Sequence, residues 1–588
     1  MNYSLNTSKD QQGKSSALAA AKKLWPLLAT EKAIITAALV AVILNSLVNL
    51  FAPRLIAHVI DTFLPTKDYH HVLVYSGIIL AMYAFGLVTS YAQTRLMGGV
   101  GQRVLYRLRN LVFTKLQELP VGFFSANKAG DLISRINNDT DKINQFFSQS
   151  LVQFMGSVFL MIGAAIFLLS IHFKLGGAAL LPAVALLMFT QLISGWVKRR
   201  NLSSMQSLGG MSAEIQESLN NFKVIIAFNR RDYFRKRFQE VNDQNYTASI
   251  GSGLANNTLV PVYGLASNFG QLIVLSYGIY LISTGNFTIG LLISFLSYAN
   301  NFYNPLRQLA ALWASFQQAM ASWDRVHEIL SLETNLLTVP AQGKGATSNS
   351  LLEFRNVHFK YVDDGAEILH GINLKLEQGK TYALVGPTGG GKTTTASLMA
   401  RLYDPTEGSV LLNGQDIRSF SAEDRTKKIG FILQDPILFT GTVRENLAYG
   451  NVEYKDLTSE QLEKVINDAG LESLLARFDE GLETKITATG DSISLGQKQL
   501  VAFMRAVLRK PELLILDEAT ANIDTVTESL LQGILDKLPA STTRVIIAHR
   551  LNTIANADEI FFVNSGDLTP AGSMEHAVDM LLHDKRES

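Results

Sequence analysis

The sequence contains no cysteine. Disulfides, thiolate metal sites, iron–sulfur clusters and cysteine nucleophiles are therefore excluded. Charge is scarce as well. Only 18% of the 588 residues are Asp, Glu, Lys or Arg, against about 25% in an ordinary soluble protein. The deficit is local. From Gln145 to Val197 the only one of these is Lys174, and Gly251–Leu306 has none. Neither sign dominates: 52 Lys+Arg face 51 Asp+Glu, a net charge of +1. No bulk field marks the chain as a nucleic-acid binder, and no nucleic-acid partner is expected.

In place of charge there are long apolar runs. A membrane helix needs about 20 such residues to cross roughly 30 Å of hydrocarbon. Ala33–Pro53 supplies a first span, with room to continue past Arg54 towards Leu64, and Tyr69–Thr94 supplies a second. Gln145–Val197 is too long for one span and breaks at His172–Gly177; Gly251–Leu306 divides at Ser283–Phe287. Six spans result. Arg95, Arg103, Arg107 and Arg109 follow the second, Lys198-Arg199-Arg200 follows the fourth, and Lys22, Lys23 and Lys32 precede the first. The three short loops on the other side carry only Lys67 and Lys174. Positive-inside asymmetry puts both termini and the two long inter-span segments in the cytosol.

Those two segments have helical periodicity. Val104, Leu105, Leu108, Val112 and Leu116 recur at three- and four-residue spacing before Pro120, as do Ile215, Leu219, Phe222 and Ile226 in the second. They extend the bundle into the cytosol as stalks. Residues 1–24 read as a polar cytosolic tail rather than a signal peptide, 25–325 as the six-span domain and 326–350 as a linker. Within the linker, Gln342–Ser350 is small, polar and aperiodic. From 351 to 582 short apolar runs such as Ala383–Val385, Leu513–Leu516 and Val545–Ala548 alternate with helical stretches, an α/β pattern with buried strands. The fold class expected is a membrane α-helical bundle of six spans with long cytosolic extensions, followed by an α/β domain.

The chemistry sits in that second half. Gly386-Pro387-Thr388-Gly389-Gly390-Gly391-Lys392-Thr393 fits G-x-x-x-x-G-K-[ST] between a strand and a helix-like run. There the glycines turn backbone N–H groups towards phosphate oxygens, with Thr394 in the helix's first turn. Lys392 reaches the β- and γ-phosphates, and the Thr393 hydroxyl can ligate Mg²⁺. Leu513–Leu516 is an apolar strand running into Asp517 and Glu518. Many strands end in a solvated acidic pair. After a P-loop, however, Asp517 suits the Mg²⁺ shell and Glu518 an attacking water.

Further residues complete a pattern. Tyr361 lies about 25 residues before the P-loop, Gln434 sits in Leu433–Pro436, and Ile493-Ser-Leu-Gly-Gln497 precedes a helix. Ala521-Asn-Ile-Asp524 follows the acids, and His549 ends an apolar strand. This order resembles the nucleotide-binding domain of ABC transporters. With six spans ahead of it, the chain from about residue 30 to 580 resembles an ABC exporter half-transporter.

The resemblance implies ATP and Mg²⁺ as cofactors and gives each residue a role. Tyr361 would stack on adenine. Gln434 would couple Mg²⁺ and the attacking water to the membrane helices, and His549 would contact the γ-phosphate. Asp524 would cross a dimer interface, while Ser494, Gly496 and Gln497 would contact the γ-phosphate of ATP on a second subunit's P-loop. One chain would then hold half of each ATP site, making a second half-transporter a requirement. Phe123–Asp139 and Glu217–Phe228 look like the family's two intracellular loops, whose short coupling helices press into the nucleotide domains and reorient the spans as these close.

The signature departs from the family's Leu-Ser-Gly-Gly-Gln: Ile493 and Leu495 replace the Leu and first Gly, and Ala488-Thr489 stand where exporters have Glu-Arg. Intact Glu518 and His549 beside an imperfect signature resemble one member of an asymmetric heterodimeric bacterial exporter, favoured here over a homodimer. The expected setting is a bacterial plasma membrane and the expected cargo an amphipathic or hydrophobic drug, lipid or peptide. Apart from Asp61, near the outer end of the first span, the spans hold no acidic residue for a proton relay. Asn256, Asn257, Asn268, Gln271, Asn300, Asn301 and Asn304, with Tyr263, Phe302 and Tyr303, are either a binding surface or interhelical hydrogen bonds. An exporter-like importer and a nucleotide-gated protein with little turnover are the alternatives; the latter fits poorly with Glu518 and His549.

Overall fold

The computed structural model describes residue 5 and residues 29–333, 339–340, 350–362, 365–449, 451–487, 492–517, 525–547 and 556–587. The chain divides into two compact units. One comprises Asn6–Leu116 and Gly130–Ser331; the other comprises Met1–Leu5, Gln117–Ala129 and Leu332–Ser588.

The first unit is helical. Lys32–His58 continues through a π-helical turn at Val59–Phe63, so the first span does pass Arg54. Tyr69–Glu118 is one helix of 50 residues, span and stalk together. The third span ends at Ile171, and Phe173–Asn220 follows it directly. His172 makes the break: its backbone is extended and its Nδ1 accepts from Leu175 N at 3.1 Å, capping the next helix. Arg231–Ser283 and Ile289–Leu330 complete the set. The last helix runs five residues beyond the expected domain edge at 325.

Among the described residues five helices are long and apolar enough to cross a membrane. Ile289–Leu330 is not among them, because Asn300, Asn301, Asn304 and Gln308 dilute its apolar run. Its outer end is fastened to the first span. Asp61 Oδ2 accepts from Thr288 Oγ1 at 2.6 Å and Asp61 Oδ1 from Gly290 N at 2.8 Å. A carboxylate there meets the positive end of a helix, so this acid has a structural use. Several amides of the last two spans also act between helices: Gln271 Nε2 donates to Asn300 Oδ1 at 2.9 Å, and Asn256 Nδ2 to Asn201 Oδ1 at 2.9 Å.

At the other end of the last helix lies a cluster of charge. Arg135 is 1% exposed; its Nε donates to Asp131 at 2.9 Å and its Nη1 to Glu328 at 2.7 Å. Arg325 lies 3.0 Å from both Asp131 and Asp139. Two arginines thus share three carboxylates, which is what burial of such groups demands.

Among the described residues the second unit holds three sheets. β1 (Ser350–Phe359), β2 (Leu369–Glu377), β4 (Glu407–Leu412) and β5 (Gln415–Asp416) form an antiparallel sheet in the order β2-β1-β4-β5. β3 (Thr381–Val385), β6 (Ile429–Ile432), β9 (Leu513–Asp517), β10 (Thr543–Ile547), β11 (Glu559–Asn564) and β12 (Asp567–Pro570) form the main sheet, ordered β12-β11-β3-β10-β9-β6. β7 (Gly441–Thr442) and β8 (Lys485–Ile486) make a small ribbon.

Strands β3, β6, β9, β10 and β11 are parallel. Side chains alternate between the two faces of a strand, and this sheet is buried on both. Ala383, Val385, Leu514, Leu516 and Ile546 enter one core; Tyr382, Leu384, Leu513, Ile515, Val545 and Ile547 enter the other. That accounts for the continuous apolar runs in the sequence.

Candidate functional site

Four neighbouring parallel strands end at one edge of the main sheet. In register, Leu384 of β3 faces Ile547 of β10, Ile547 faces Asp517 of β9, and Leu516 faces Ile432 of β6. The P-loop follows β3, Asp517 closes β9, and Gln434 comes two residues after β6. In an open α/β sheet, the crevice beyond the carboxyl ends of the strands is where ligands bind.

The P-loop itself needs glycine. Gly386 has φ of +145°, and a Cβ there would lie 2.0 Å from Val563 O on β11. Gly391, the N-cap of helix Lys392–Met399, has φ of +112°, a left-handed conformation that side chains resist. With no side chain at these points, the loop exposes backbone N–H groups at a helix start. Lys392 is 5% exposed, and its Nζ donates to Gly386 O and Pro387 O, each at 2.9 Å. The ammonium is thereby held against the loop it would serve.

Thr393, the next residue, has its Oγ1 3.4 Å from Asp517 Oδ1. Asp517 is 1% exposed. A hydroxyl and a buried carboxylate side by side are hard oxygen donors of the kind Mg²⁺ takes beside a nucleotide, so the donor set fits the metal. Gln434 is exposed in the segment after β6. Glu518, Asp524 and His549 lie outside the described residues, as do Ala488 and Thr489.

Tyr361 lies beside the P-loop helix. It is 48% exposed and sits edge-on to Phe359 at 4.9 Å and to Tyr403 at 5.3 Å. Its hydroxyl lies 2.9 Å from Thr394 Oγ1, which ties the ring to the P-loop helix. Burial pushes the Tyr361 phenol above its ordinary value, against the bond from Thr394. Tyr403 is a residue the sequence reasoning missed. Its hydroxyl is 3.3 Å from Ser125 Oγ, on the short helix Val121–Ala126, which belongs to this same compact unit. The only available signal was an aromatic just after the P-loop helix, which any packed core could carry.

The signature segment begins helix Leu495–Val507. Ser494 caps it: Ser494 Oγ accepts from Gln497 N at 3.1 Å, and Gln497 Oε1 accepts from Ser494 N at 2.9 Å. Gln497 Nε2 also donates to Arg477 O at 2.9 Å. Leu495, in the place of glycine, projects outward and is 43% exposed; Gly496 is half-buried.

A second missed residue, Arg505, lies on the same helix. It donates to Asn446 O at 2.8 Å, Asn446 Oδ1 at 3.0 Å and Ile437 O at 3.2 Å, and lies over the Tyr449 ring at 5.6 Å. Ile437 is three residues past Gln434, so Arg505 fastens the Gln434 segment to the signature helix. The structure therefore brings the P-loop, Asp517, Thr393, Thr394 and Tyr361 together.

Comparison with known proteins agrees with this architecture. Residues 35–306 match the family model for the ABC transporter transmembrane region and residues 369–521 the family model described as ABC transporter. An ABC transporter ATP-binding protein of Bacillus subtilis is 32% identical over 95% of this chain and 92% of its own length. A multidrug resistance ABC transporter ATP-binding and permease protein of Lactococcus lactis is 32% identical over 92% and 90%. A fatty acid ABC transporter ATP-binding/permease protein of Mycobacterium bovis is 33% identical over 84% and 78%. Apolar helices long enough to span a membrane and a P-loop ATPase domain, fused in one polypeptide and matched along nearly its whole length, place this chain in the ABC transporter family as an exporter-type half-transporter.

Proposed function

We propose that the chain exports amphipathic or hydrophobic compounds from a bacterial cytosol by alternating access, driven by ATP hydrolysis at a dimer of nucleotide domains. The observation that carries the reading is the Thr393–Asp517 pair beside Lys392 at the strand ends, fused to spans of transporter length. The multidrug and fatty acid names of two relatives support the cargo class. The basic residues flanking the spans support cytosolic termini.

Lys392 would exchange the Gly386 and Pro387 carbonyl oxygens for phosphate oxygens, and Tyr361 would offer its exposed face to adenine. Thr393, Asp517 and Gln434 would hold Mg²⁺, which when bound neutralises charge on the β- and γ-phosphates. Glu518 would orient the attacking water and accept its proton; His549 would donate to the γ-phosphate. Ser494, Gly496 and Gln497 would cover a partner's P-loop, with Asp524 crossing between the domains. Since Leu495 stands at the helix start that would meet the partner's nucleotide, we infer an asymmetric heterodimer in which this subunit's P-loop forms the hydrolytic site.

The test is ATP hydrolysis by the chain purified alone in lipid nanodiscs, with Glu518→Gln in parallel. Negligible turnover in a folded, ATP-binding protein supports the missing-partner reading. Substantial turnover that collapses in the variant means a competent homodimer, and turnover indifferent to the variant removes Glu518 from its role. Accumulation of cargo in inside-out vesicles reads the direction.

A further inference from the structure

One end of the fourth span carries three cations in a row, Lys198, Arg199 and Arg200, all exposed. Among the described residues no ion pair or hydrogen bond answers any of them. Other cations of the helical unit have acids: Arg103 and Arg107 share Glu31, Arg109 meets Asp141, and Arg237 meets Glu214. Near the triplet there is none to meet. The first acid of helix Phe173–Asn220 is Glu214, about 21 Å along the axis past Arg200 and already held by Arg237 at 2.9 Å. On the facing helix Arg231–Ser283 no acid follows Asp243, which stands about 12 Å along the axis from Gly251, the residue beside Arg200. Both distances exceed the screening length of about 10 Å at 0.1 M salt.

The neutral polar groups beside the triplet are spent on packing. Asn256 Nδ2 donates to Asn201 Oδ1 at 2.9 Å, Asn201 Nδ2 to Asn256 Oδ1 at 3.2 Å, and Ser252 Oγ to Asn201 Oδ1. Arg200 lies across the notch that Gly251 leaves in the facing helix; a Cβ there would stand 3.6 Å from its Cδ and from its Nη1. Only the charges are unanswered. Depth says what can answer them. Lys174 sits at the start of the same helix, about 36 Å along the axis from Lys198. That is more than the roughly 30 Å of hydrocarbon and less than the roughly 40–45 Å that includes the headgroups. With Lys174 in one headgroup layer, the triplet lies in the other. Trp196, just before it and 38% exposed, is the kind of ring that such a layer favours.

We propose that Lys198, Arg199 and Arg200 bind the phosphate of an anionic phospholipid, one whose headgroup brings no cation of its own. The two guanidinium forks match pairs of phosphate oxygens, and the ammonium adds a point charge. A zwitterionic headgroup carries an ammonium that the triplet repels, so the site discriminates between lipids. Each Lys or Arg at an anionic surface favours association about fivefold, and three together about a hundredfold. The inference goes beyond the export reading: it needs the fourth span to cross a bilayer, and neither a particular cargo nor a direction.

The experiment follows Trp196 fluorescence of the full chain in phosphatidylcholine nanodiscs, with Trp25→Phe, Trp313→Phe and Trp323→Phe leaving it the sole reporter. Lipids brominated on their acyl chains quench the ring on contact. Half-maximal quenching is expected at a fraction of brominated phosphatidylglycerol at least tenfold lower than that of brominated phosphatidylcholine. The preference should vanish in Lys198→Gln with Arg199→Gln and Arg200→Gln, and in 1 M salt, where the screening length falls to about 3 Å. Arg200→Lys, which keeps the charge, should retain most of it. Inorganic phosphate should not shift the curve, which separates a lipid headgroup from a free anion. The salt arm needs no change to the triplet and carries the test where the triple variant does not elute as wild type. Equal curves for the two lipids would leave the charges to a protein partner and overturn the proposal. A preference that survives 1 M salt or the triple substitution in a folded protein, or displacement by inorganic phosphate, overturns it as well. ATP turnover and its sensitivity to Glu518→Gln, measured on the same samples, report the export reading separately.

Discussion

At Tyr361 one side chain has two separable parts. The ring offers a face for a base, and the hydroxyl holds the ring to Thr394 beside the P-loop. Stacking of a base on an aromatic is worth about 1–3 kcal/mol, a neutral hydrogen bond about 1 kcal/mol. Tyr361→Phe should therefore weaken ATP binding about fivefold and Tyr361→Ala about ten- to a hundredfold, measured by titration of a fluorescent ATP analogue. Equal losses would assign the effect to the hydroxyl. That Lys392, Thr393 and Asp517 stand together at the strand ends was legible from the spacing of their motifs; the roles given them remain part of the proposal. Tyr403 and Arg505 were not legible, because their roles depend on partners 278 and 59 residues away in sequence, which no local pattern reveals.

Elements show the same divide. The spans were readable to within a few residues wherever an extended residue or a proline marks an end, as at His172. The fusion of stalk and span into helices of 50 residues or so was legible from the three- and four-residue spacing before Pro120. The register that brings Asp517 opposite Ile547 was not, since β-strand pairing is set by side chains far apart in sequence. Arg505 joins two elements, and Arg505→Ala would leave two carbonyl oxygens and an amide oxygen short of donors. A melting temperature lower by several degrees is expected, with ATP turnover reduced more than ATP binding. Loss of binding in equal measure would point to a general packing defect.

The same domain should be acid-sensitive. Bonds from Arg355 hold Glu353 below the usual carboxylate range. Burial works against charge on Asp416 and Glu512, but bonds from Arg418 to the first and from Lys428 to the second outweigh it, and both carboxylates lie low. Depressed folded-state values mean stability present above the unfolded pKa, near 4, and lost as pH falls through the folded ones. Melting should be flat from about pH 6 to 8 on account of these groups and decline below about pH 4, as scanning calorimetry can check. A decline beginning near pH 6 would implicate histidines instead.

Taken whole and under the proposed mechanism, the molecule is half of a machine, and Leu495 is where that would show. A single P-loop and a single signature cannot close on each other within one chain under the proposed mechanism. If the Leu495 side chain obstructs a partner's phosphates, Leu495→Gly should raise turnover of the chain alone about tenfold despite glycine's helix cost of about 1 kcal/mol; unchanged turnover would locate the asymmetry elsewhere. The division into membrane and ATPase halves was legible from composition alone. The grouping of residues 117–129 with the ATPase half was legible only through the resemblance, which read Phe123–Asp139 as a loop pressing into the nucleotide domain; composition gave no sign, because nothing in that stretch differs from the stalks around it. That grouping has a consequence for how the protein is made. Ser125, on that stretch's short helix, meets Tyr403, which emerges from the ribosome about 280 residues later. At synthesis rates of about 5–20 residues per second, the newborn helix waits roughly 14–56 seconds for this partner, an interval in which a chaperone at the membrane face would have its clearest target.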